Sequence, residues 1–273
     1  MMICDAQIHL WAKGTPSAHH RQAPFSKEQA LALMDEAGVD RAVIHPVMWD
    51  PDSNELAVEA VRAHPDRFAI LGWFYLDRPE SRNLIAGWKS RPGMLGLRFY
   101  FNEPRMLTWP TDGTMDWLWP AAEKAGLPVA LMAASFLPVV AQIAERHPGL
   151  KLTVDHMAVP RAMRGAEAAY RHLPDLLALA KYPNVSVKAT GQAVVALDDY
   201  PFRSIHEPLH RVFDAFGPKR MFWGTDITRQ LCSWKQCITL FTEELPWLKG
   251  NDLELVMGRA FCDWIGWDTG GAR

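Results

Sequence analysis

Eight short apolar runs recur along the chain, and this recurrence constrains the fold more than any other feature. They read "MICDAQIHL" (from Met2), "RAVIHPV", "FAILGWFYL", "LGLRFYF", "LPVALMA", "LTVDHMA", "VSVKATG" and "RMFWGTD". Each is rich in β-branched or aromatic residues and has the length of a buried strand. Segments of helical spacing lie between them. "SKEQALALMDEAG" opens with Ser26 and has Gln29 three residues on, the pattern of a capping box, and stops at Gly38. "SFLPVVAQIAERHPG" and "RSIHEPLHRVFDAFGP" read as two further helices. Strand and helix alternating eight times predict an α/β protein with a parallel sheet. Eight units in 273 residues predict a closed (β/α)8 TIM barrel, a single domain over 1–273. "NDLELVMGRAFCDWIGW" predicts a C-terminal helix packed on the barrel. No G-x-G-x-x-G follows the first run, which removes support for a dinucleotide-binding sheet.

The charge balance of 29 basic against 31 acidic residues gives no basic footprint for nucleic acid or an anionic membrane. No apolar run reaches the roughly 18 residues of a membrane span, and no signal-peptide pattern opens the chain. The four cysteines form no C-x-x-C pair, which fits reduced thiols in a cytoplasmic protein. Twelve tryptophans are many for this length. Trp11, Trp49, Trp73 and Trp223 fall in or just after predicted strands, where pockets form, and an exposed Trp-rich surface could serve a homo-oligomer. The expected partner is a small-molecule substrate.

A barrel of this kind carries its chemistry at the C-terminal ends of its strands. Those ends hold Asp5, Gln7 and His9 on alternate positions, then His45, Asp77, Arg98, Met132, Asp155 with His156, Lys188, and Asp226. Charged and imidazole groups inside apolar runs are costly unless paired or used. The irregular stretches 12–25 and 102–114 both follow strands and are expected over the mouth of the barrel.

On "DAQIHLW", "VDHMAVP", "VSVKATG", "FWGTDIT" and "VMGRAFCDWIGW", in this order, the chain resembles the amidohydrolase superfamily, in its amidohydrolase-2 branch. The resemblance spans nearly the whole chain. It implies a divalent metal held by a His-x-His on strand one, histidines after strands five and six, and an aspartate after strand eight. His9, His156 and Asp226 match. Gln7 stands where the first histidine would be, and strand five offers Met132 and no histidine. Gln is a weak neutral donor and a thioether prefers softer metals. The two losses resemble a lactonase-like group, some of whose members hydrolyse sugar or aromatic-acid lactones without metal.

The expected function is therefore hydrolysis, by water attack, of a small cyclic ester or related carboxylate-bearing substrate, without a metal cofactor. Asp226 is the expected general base, its pKa moderately raised by burial. His156 and His9 are expected to polarise the carbonyl. Arg98 suits a substrate carboxylate by bidentate hydrogen bonding, with an internal ion pair to Asp77 or Asp5 as its structural alternative. Lys188 suits an oxyanion or a buried ion pair. Gln7, Trp11 and His45 complete the expected substrate contacts, although His45 before Pro46 also reads as a turn element. His19 and His20 are expected in solvent. Two alternatives remain open. One is a metal-dependent hydrolase or decarboxylase holding Zn²⁺ or Mn²⁺ on His9, His156 and Asp226. The other is a barrel that binds a ligand without turnover.

Overall fold

The computed structural model describes residues 1–268; the last five positions of the expected 1–273 unit lie outside the described residues. Eight strands form one sheet in the order in which they occur: β1 (Cys4–Ile8), β2 (Arg41–Ile44), β3 (Phe68–Gly72), β4 (Met94–Phe99), β5 (Val129–Leu131), β6 (Leu152–Val154), β7 (Val185–Thr190) and β8 (Met221–Gly224). Each falls in one of the eight apolar runs, β4 beginning one residue before its own. All seven sequential pairings are parallel. This is the (β/α)8 TIM barrel predicted from the alternation.

The seam between β1 and β8 is closed by side-chain chemistry. The Asp5 carboxylate accepts from the Thr225 backbone N–H at 2.9 Å, from the Thr225 hydroxyl at 2.5 Å and from its own neighbour Gln7 N–H at 2.9 Å. The Asp226 N–H donates to Gln7 O at 2.9 Å. Gly224 permits this approach, since a Cβ there would lie 2.6 Å from Thr190 and 2.8 Å from the Asp5 carboxylate.

Burial pushes the Asp5 carboxyl up to about 7 against the opposing effect of these hydrogen bonds. The folded chain then keeps a proton that the unfolded chain releases near pH ~4. More protons are bound folded than unfolded across that window, so the contribution of Asp5 to stability falls as pH rises from about 4 to about 7. Asp5→Asn cannot titrate. Its melting temperature relative to the parent is expected to climb between pH 5 and pH 8, and a pH-independent difference in thermal melts would contradict this.

The capping box forms as predicted: Ser26 caps the helix Lys27–Ala37, Gln29 reciprocates, and Gly38 ends it in the left-handed conformation. Helices Leu137–Arg146 and His206–Phe216 occupy the other two predicted segments. The alternation breaks between β3 and β4, where only the 3₁₀ turns Pro79–Leu84 and Trp88–Ser90 are present. Pro79, Gly87 and Pro92 punctuate that stretch too densely for an α-helix to propagate.

The C-terminal segment is helical over Gly250–Glu254, passes through a π-turn at Leu255–Arg259, and resumes over Ala260–Ile265. It closes the N-terminal end of the barrel. Phe261 packs on Phe222 with ring centroids 5.1 Å apart, and Leu255 and Ile265 join Cys4, Ala6 and Val43 in one apolar cluster. Gly258 is required at the contact, because a Cβ would lie 2.7 Å from Cys4 N. No helix among the described residues is long and apolar enough to cross a membrane. None of the twelve tryptophans is exposed, so the expected Trp-rich docking surface is not formed. Indole rings are large apolar bodies, and this chain spends them on its core and its cavities.

Candidate active site

His9, His156 and Asp226 come from three strand ends far apart in the chain and line one cavity over the C-terminal end of the sheet. With them stand His19, His20, Trp49, Arg98, Tyr100, Met132, Arg161 and Arg229. The local backbone shows why these groups converge. After β6 the chain turns through three consecutive left-handed residues, His156, Met157 and Ala158, with φ of 54°, 54° and 56°. Asp226, after β8, is left-handed at φ 51°. Each such non-glycine conformation costs about 1–2 kcal/mol, and the cost falls on the strand ends that aim His156 and Asp226 into the cavity.

Hydrogen bonds below the cavity determine what each nitrogen offers. Lys188 can only donate, and its Nζ lies 2.8 Å from Gln7 Oε1. That orients the Gln7 amide, whose NH₂ then faces His156 Nε2 at 3.1 Å and His9 Nε2 at 3.4 Å. His156 Nδ1 faces the Thr190 hydroxyl at 2.8 Å and the Thr190 carbonyl at 3.2 Å. His9 Nδ1 donates to the His45 carbonyl at 2.6 Å. In their neutral forms both rings therefore present an Nε2 lone pair. Burial, with Arg229 close by, pushes His156 down to about 3, so it stays neutral at physiological pH.

The floor is a buried ionic triad. The Asp155 carboxylate, just past β6, receives Arg98 Nε at 2.7 Å and Lys188 Nζ at 2.7 Å. Burial alone would raise Asp155, but the Lys188 and Arg98 charges hold it well below the ordinary carboxylate range. Burial pulls Lys188 down to about 8 despite Asp155. The internal partner of Arg98 is thus Asp155, in place of the Asp77 or Asp5 expected. Asp77 instead pairs with Arg105 at the surface.

Four of the expected contact residues sit outside the cavity wall. Gln7 and Lys188 lie in the layer beneath it. His45 is fully buried there, donating from Nε2 to Ala6 O at 2.9 Å. Trp11 packs against Phe25 and Trp49. Other wall residues were not singled out by strand-end reading. His20, expected in solvent, is only 8% exposed; it pairs with Thr228 Oγ1 at 2.8 Å and meets the His9 ring at a centroid distance of 5.3 Å. Arg161 and Arg229 follow β6 and β8 by a few residues. Their signal was present in the sequence as cations just past strand ends that already carried an acid, Asp155 with His156 after β6 and Asp226 after β8.

Asp226 differs from expectation in one respect. Burial would raise its carboxyl, but His9, with His20 and Arg229, holds it well below the usual carboxylate range. Asp226 Oδ1 lies 3.2 Å from His9 Nε2, Oδ2 lies 3.3 Å from Arg229 and 3.7 Å from His156 Nε2. Even so, Oδ1 accepts no well-formed hydrogen bond among the described residues, and neither does the buried Arg229 Nε donate one. Asp226 and Arg229, a carboxylate and a guanidinium, thus line the same cavity.

The ligand atoms of His9, His20 and Asp226 lie within 4.8 Å of one another. His20, in place of the expected His156, is the third member of this cluster. His9 Nε2 and Asp226 Oδ1 lie 3.2 Å apart, a contact satisfied by a proton on His9 or, with His9 neutral, by a cation held between the two. Zn–N and Zn–O bonds of about 2.0–2.1 Å would set tetrahedral neighbours about 3.4 Å apart. The donor set therefore fits one divalent ion of the Zn²⁺ or Mn²⁺ kind, with the neutral His20 as the third ligand.

Comparison with known proteins agrees with this architecture. The family described as amidohydrolase matches residues 4–269. An L-fucono-1,5-lactonase of Burkholderia ambifaria is 25% identical over 232 residues, covering 81% of this chain and 79% of that protein. In structure, an amidohydrolase from Burkholderia multivorans with bound zinc superposes with a TM-score of 0.81 at 19% identity, over 97% of this chain and 99% of that one. A probable 2-pyrone-4,6-dicarboxylic acid hydrolase from Acinetobacter baumannii, with citric acid bound, superposes at 0.76 and 15% identity, over 98% and 100% of the two chains. By its near full-length match, this chain belongs to the amidohydrolase family and is a hydrolase.

Proposed function

We propose that the protein hydrolyses a small, anionic cyclic ester by direct attack of water on the ring carbonyl. The observation that carries this reading is the convergence of Asp226 and Arg229 on one cavity, where the buried Arg229 Nε has no hydrogen-bond partner among the described residues and Asp226 can act as acceptor. Water attack needs both: an acceptor for the proton that the water loses, and a donor for the oxyanion that forms. Asp226 orients the water and takes its proton as the C–O bond forms. A carboxylate of depressed pKa is a weak base, so a large part of the barrier lowering falls to the guanidinium at the oxyanion. Once protonated, the same carboxyl is a strong acid and returns the proton to the leaving ring oxygen.

The histidines take a different part from that expected of donors. Nε2 of His156 accepts from Gln7 and Nδ1 is engaged by Thr190, so His156 shapes the wall, and carbonyl polarisation passes to Arg229. Tyr100 adds a second donor, since its hydroxyl accepts from Met48 N–H at 2.7 Å and its own hydrogen meets no acceptor among the described residues. Burial pushes Tyr100 up to about 12, so it remains protonated. Arg98 and Arg161 supply the positive field for a substrate carboxylate. The relationship to an L-fucono-1,5-lactonase supports a lactone as the substrate. The test is hydrolysis of L-fucono-1,5-lactone and simple δ-lactones followed by acid release, beside decarboxylation of hydroxybenzoates followed by CO₂ release. Decarboxylation without lactone hydrolysis would replace this reading.

The His9–His20–Asp226 cluster favours a second reading, in which a divalent cation contributes. When bound, such an ion would polarise the carbonyl and acidify water. Zinc added to metal-free protein is expected to raise the melting temperature, by about 2.7 kcal/mol of stabilisation at a hundredfold excess over Kd. His20→Ala is expected to abolish that rise; an unchanged rise would place the ion elsewhere. Activity is a separate measurement. We expect the chelated enzyme to keep at least about half of its lactone hydrolysis, since Arg229 and Tyr100 already supply oxyanion donors. Loss of activity that zinc restores would assign polarisation to the ion.

A further inference from the structure

The groups given the chemistry above are shut away in this conformation. Asp226 is 1% exposed and His9 is 3% exposed. The space over them holds little more than a water molecule. No cyclic ester reaches the Asp226 carboxylate until part of the roof moves. His20 stands over His9, its ring 5.3 Å from His9 and 5.2 Å from Trp49, and His19 packs on His20 at 4.5 Å. Both histidines belong to one irregular segment, residues 15–24, between β1 and the helix Lys27–Ala37.

The ends of this segment are pinned and its middle is not. Trp11 and Phe25 exchange backbone hydrogen bonds at 3.2 and 3.1 Å, and the Asp50 carboxylate accepts from the Ala12 and Lys13 N–H groups at 2.8 and 3.2 Å. Gly14 follows at φ 84°; a Cβ there would lie 1.9 Å from the Trp49 carbonyl oxygen, so this pivot is reserved for glycine. Beyond it the chain folds on itself. The His20 N–H donates to the Ser17 carbonyl at 2.9 Å, and the Gln22 amide donates to the His20 carbonyl at 2.6 Å. Residues 17–22 therefore move as one unit. Among the described residues, three hydrogen bonds tie 15–24 to the rest of the barrel. The Arg21 N–H donates to the Thr228 carbonyl at 2.8 Å, His20 Nδ1 pairs with the Thr228 hydroxyl at 2.8 Å, and the Arg161 guanidinium donates to the Ser17 hydroxyl at 3.1 Å. Two of the three end on Thr228. Within the segment only Pro16 and His20 are buried. Segments with so few outward bonds and buried apolar contacts open at least cost.

We propose that residues 15–24 form a lid, latched on Thr228, that lifts to admit substrate to Asp226 and closes again to return His20 to the His9 ring. The need for opening rests on the reading that places the chemistry at Asp226; the latch rests on its own hydrogen bonds. Closure over a bound ring excludes bulk water from the reacting carbonyl.

Two measurements on the full chain test this. The first is amide hydrogen exchange over residues 12–24, read by mass spectrometry. In the parent, exchange there is expected to run at least about tenfold faster than in β1. Thr228→Val removes the hydroxyl that holds His20 and is expected to speed lid exchange at least about fivefold, leaving the helix Lys27–Ala37 unchanged. Thr228→Ser keeps the hydroxyl and is expected to stay within about twofold of the parent. A lid that exchanges as slowly as β1, one indifferent to Thr228→Val, or equal acceleration in lid and helix overturns the proposal. The second is stopped-flow binding of 6-oxopiperidine-2-carboxylate, a lactam analogue of an anionic δ-lactone, followed by tryptophan fluorescence. The observed rate is expected to level off with rising probe concentration, at the rate of lid opening, and the plateau to rise at least about fivefold in Thr228→Val. A rate that climbs linearly in the parent overturns the lid as the gate to the site. If the probe does not bind, the reading of an anionic cyclic ester fails, and hydrogen exchange still decides the lid.

Discussion

Asp226→Asn is expected to lower kcat by about 10²–10⁴, the range ascribed to a positioned acid–base group, while KM moves by no more than a few-fold. The substitution is unusually clean at this position. Asp226 sits in the left-handed region, which Asn also tolerates, so the turn after β8 keeps its shape. What is lost is the ability of Oδ1 to take a proton. Since His9, His20 and Arg229 hold the carboxyl well below its ordinary range, kcat/KM should stay flat down to about pH 4, near the pKa of an unperturbed aspartate. Steady-state kinetics on both proteins checks each part. Near-parental turnover in the variant, or an acid limb at pH 5–6 in the parent, would remove Asp226 from the mechanism.

Lys188→Met carries the second large effect, and it combines stability with function. Lys188 is fully buried and bridges Asp155 to Gln7. Its removal leaves Asp155 with Arg98 as its remaining cation in a desolvated site. Breaking a buried ion pair by removing one partner costs about 3–5 kcal/mol. For a chain of this size that corresponds to a fall in melting temperature on the order of 10 °C. The loss also removes the donor that holds Gln7 Oε1, one of the groups that orient the amide. With that constraint gone, the amide can turn its oxygen towards His156 and His9, and their Nε2 atoms lose a donor. The variant should therefore lose activity at temperatures where circular dichroism shows it fully folded. A variant that melts as the parent does would show that Asp155 is satisfied by Arg98 alone.

The barrel was legible in the sequence because its signal is local. A buried strand needs only a few consecutive apolar residues, and Ser26 with Gln29 declares a helix start within one turn. The site was legible to the extent that it sits on strand ends: reading the last polar residue of each run places His9, His156 and Asp226 around one cavity. What stayed hidden depends on loops and on long-range pairing. His20 lies in an irregular stretch whose path no periodicity reports, and only the folded loop carries it to His9. The link from Arg98 to Asp155 joins two strand ends 57 residues apart, and nothing local distinguishes it from a pairing with Asp5 or Asp77. The depressed pKa of Asp226 follows chiefly from His9, brought in from β1, with Arg229 three residues on, so burial alone suggested the opposite direction. The missing helix between β3 and β4 was foreshadowed by its prolines and glycine, a local signal overruled by the regularity of the units around it.

The joint between Asp5 and Thr225 has a bearing on how the chain assembles. Its partners are 220 residues apart, so the first strand to leave the ribosome waits for the last before its outer edge is covered. Until then that edge presents unpaired peptide groups, the surface on which nascent chains pair with one another. A chain released before its eighth strand should accumulate as aggregate and leave little soluble monomer, however complete its other seven units.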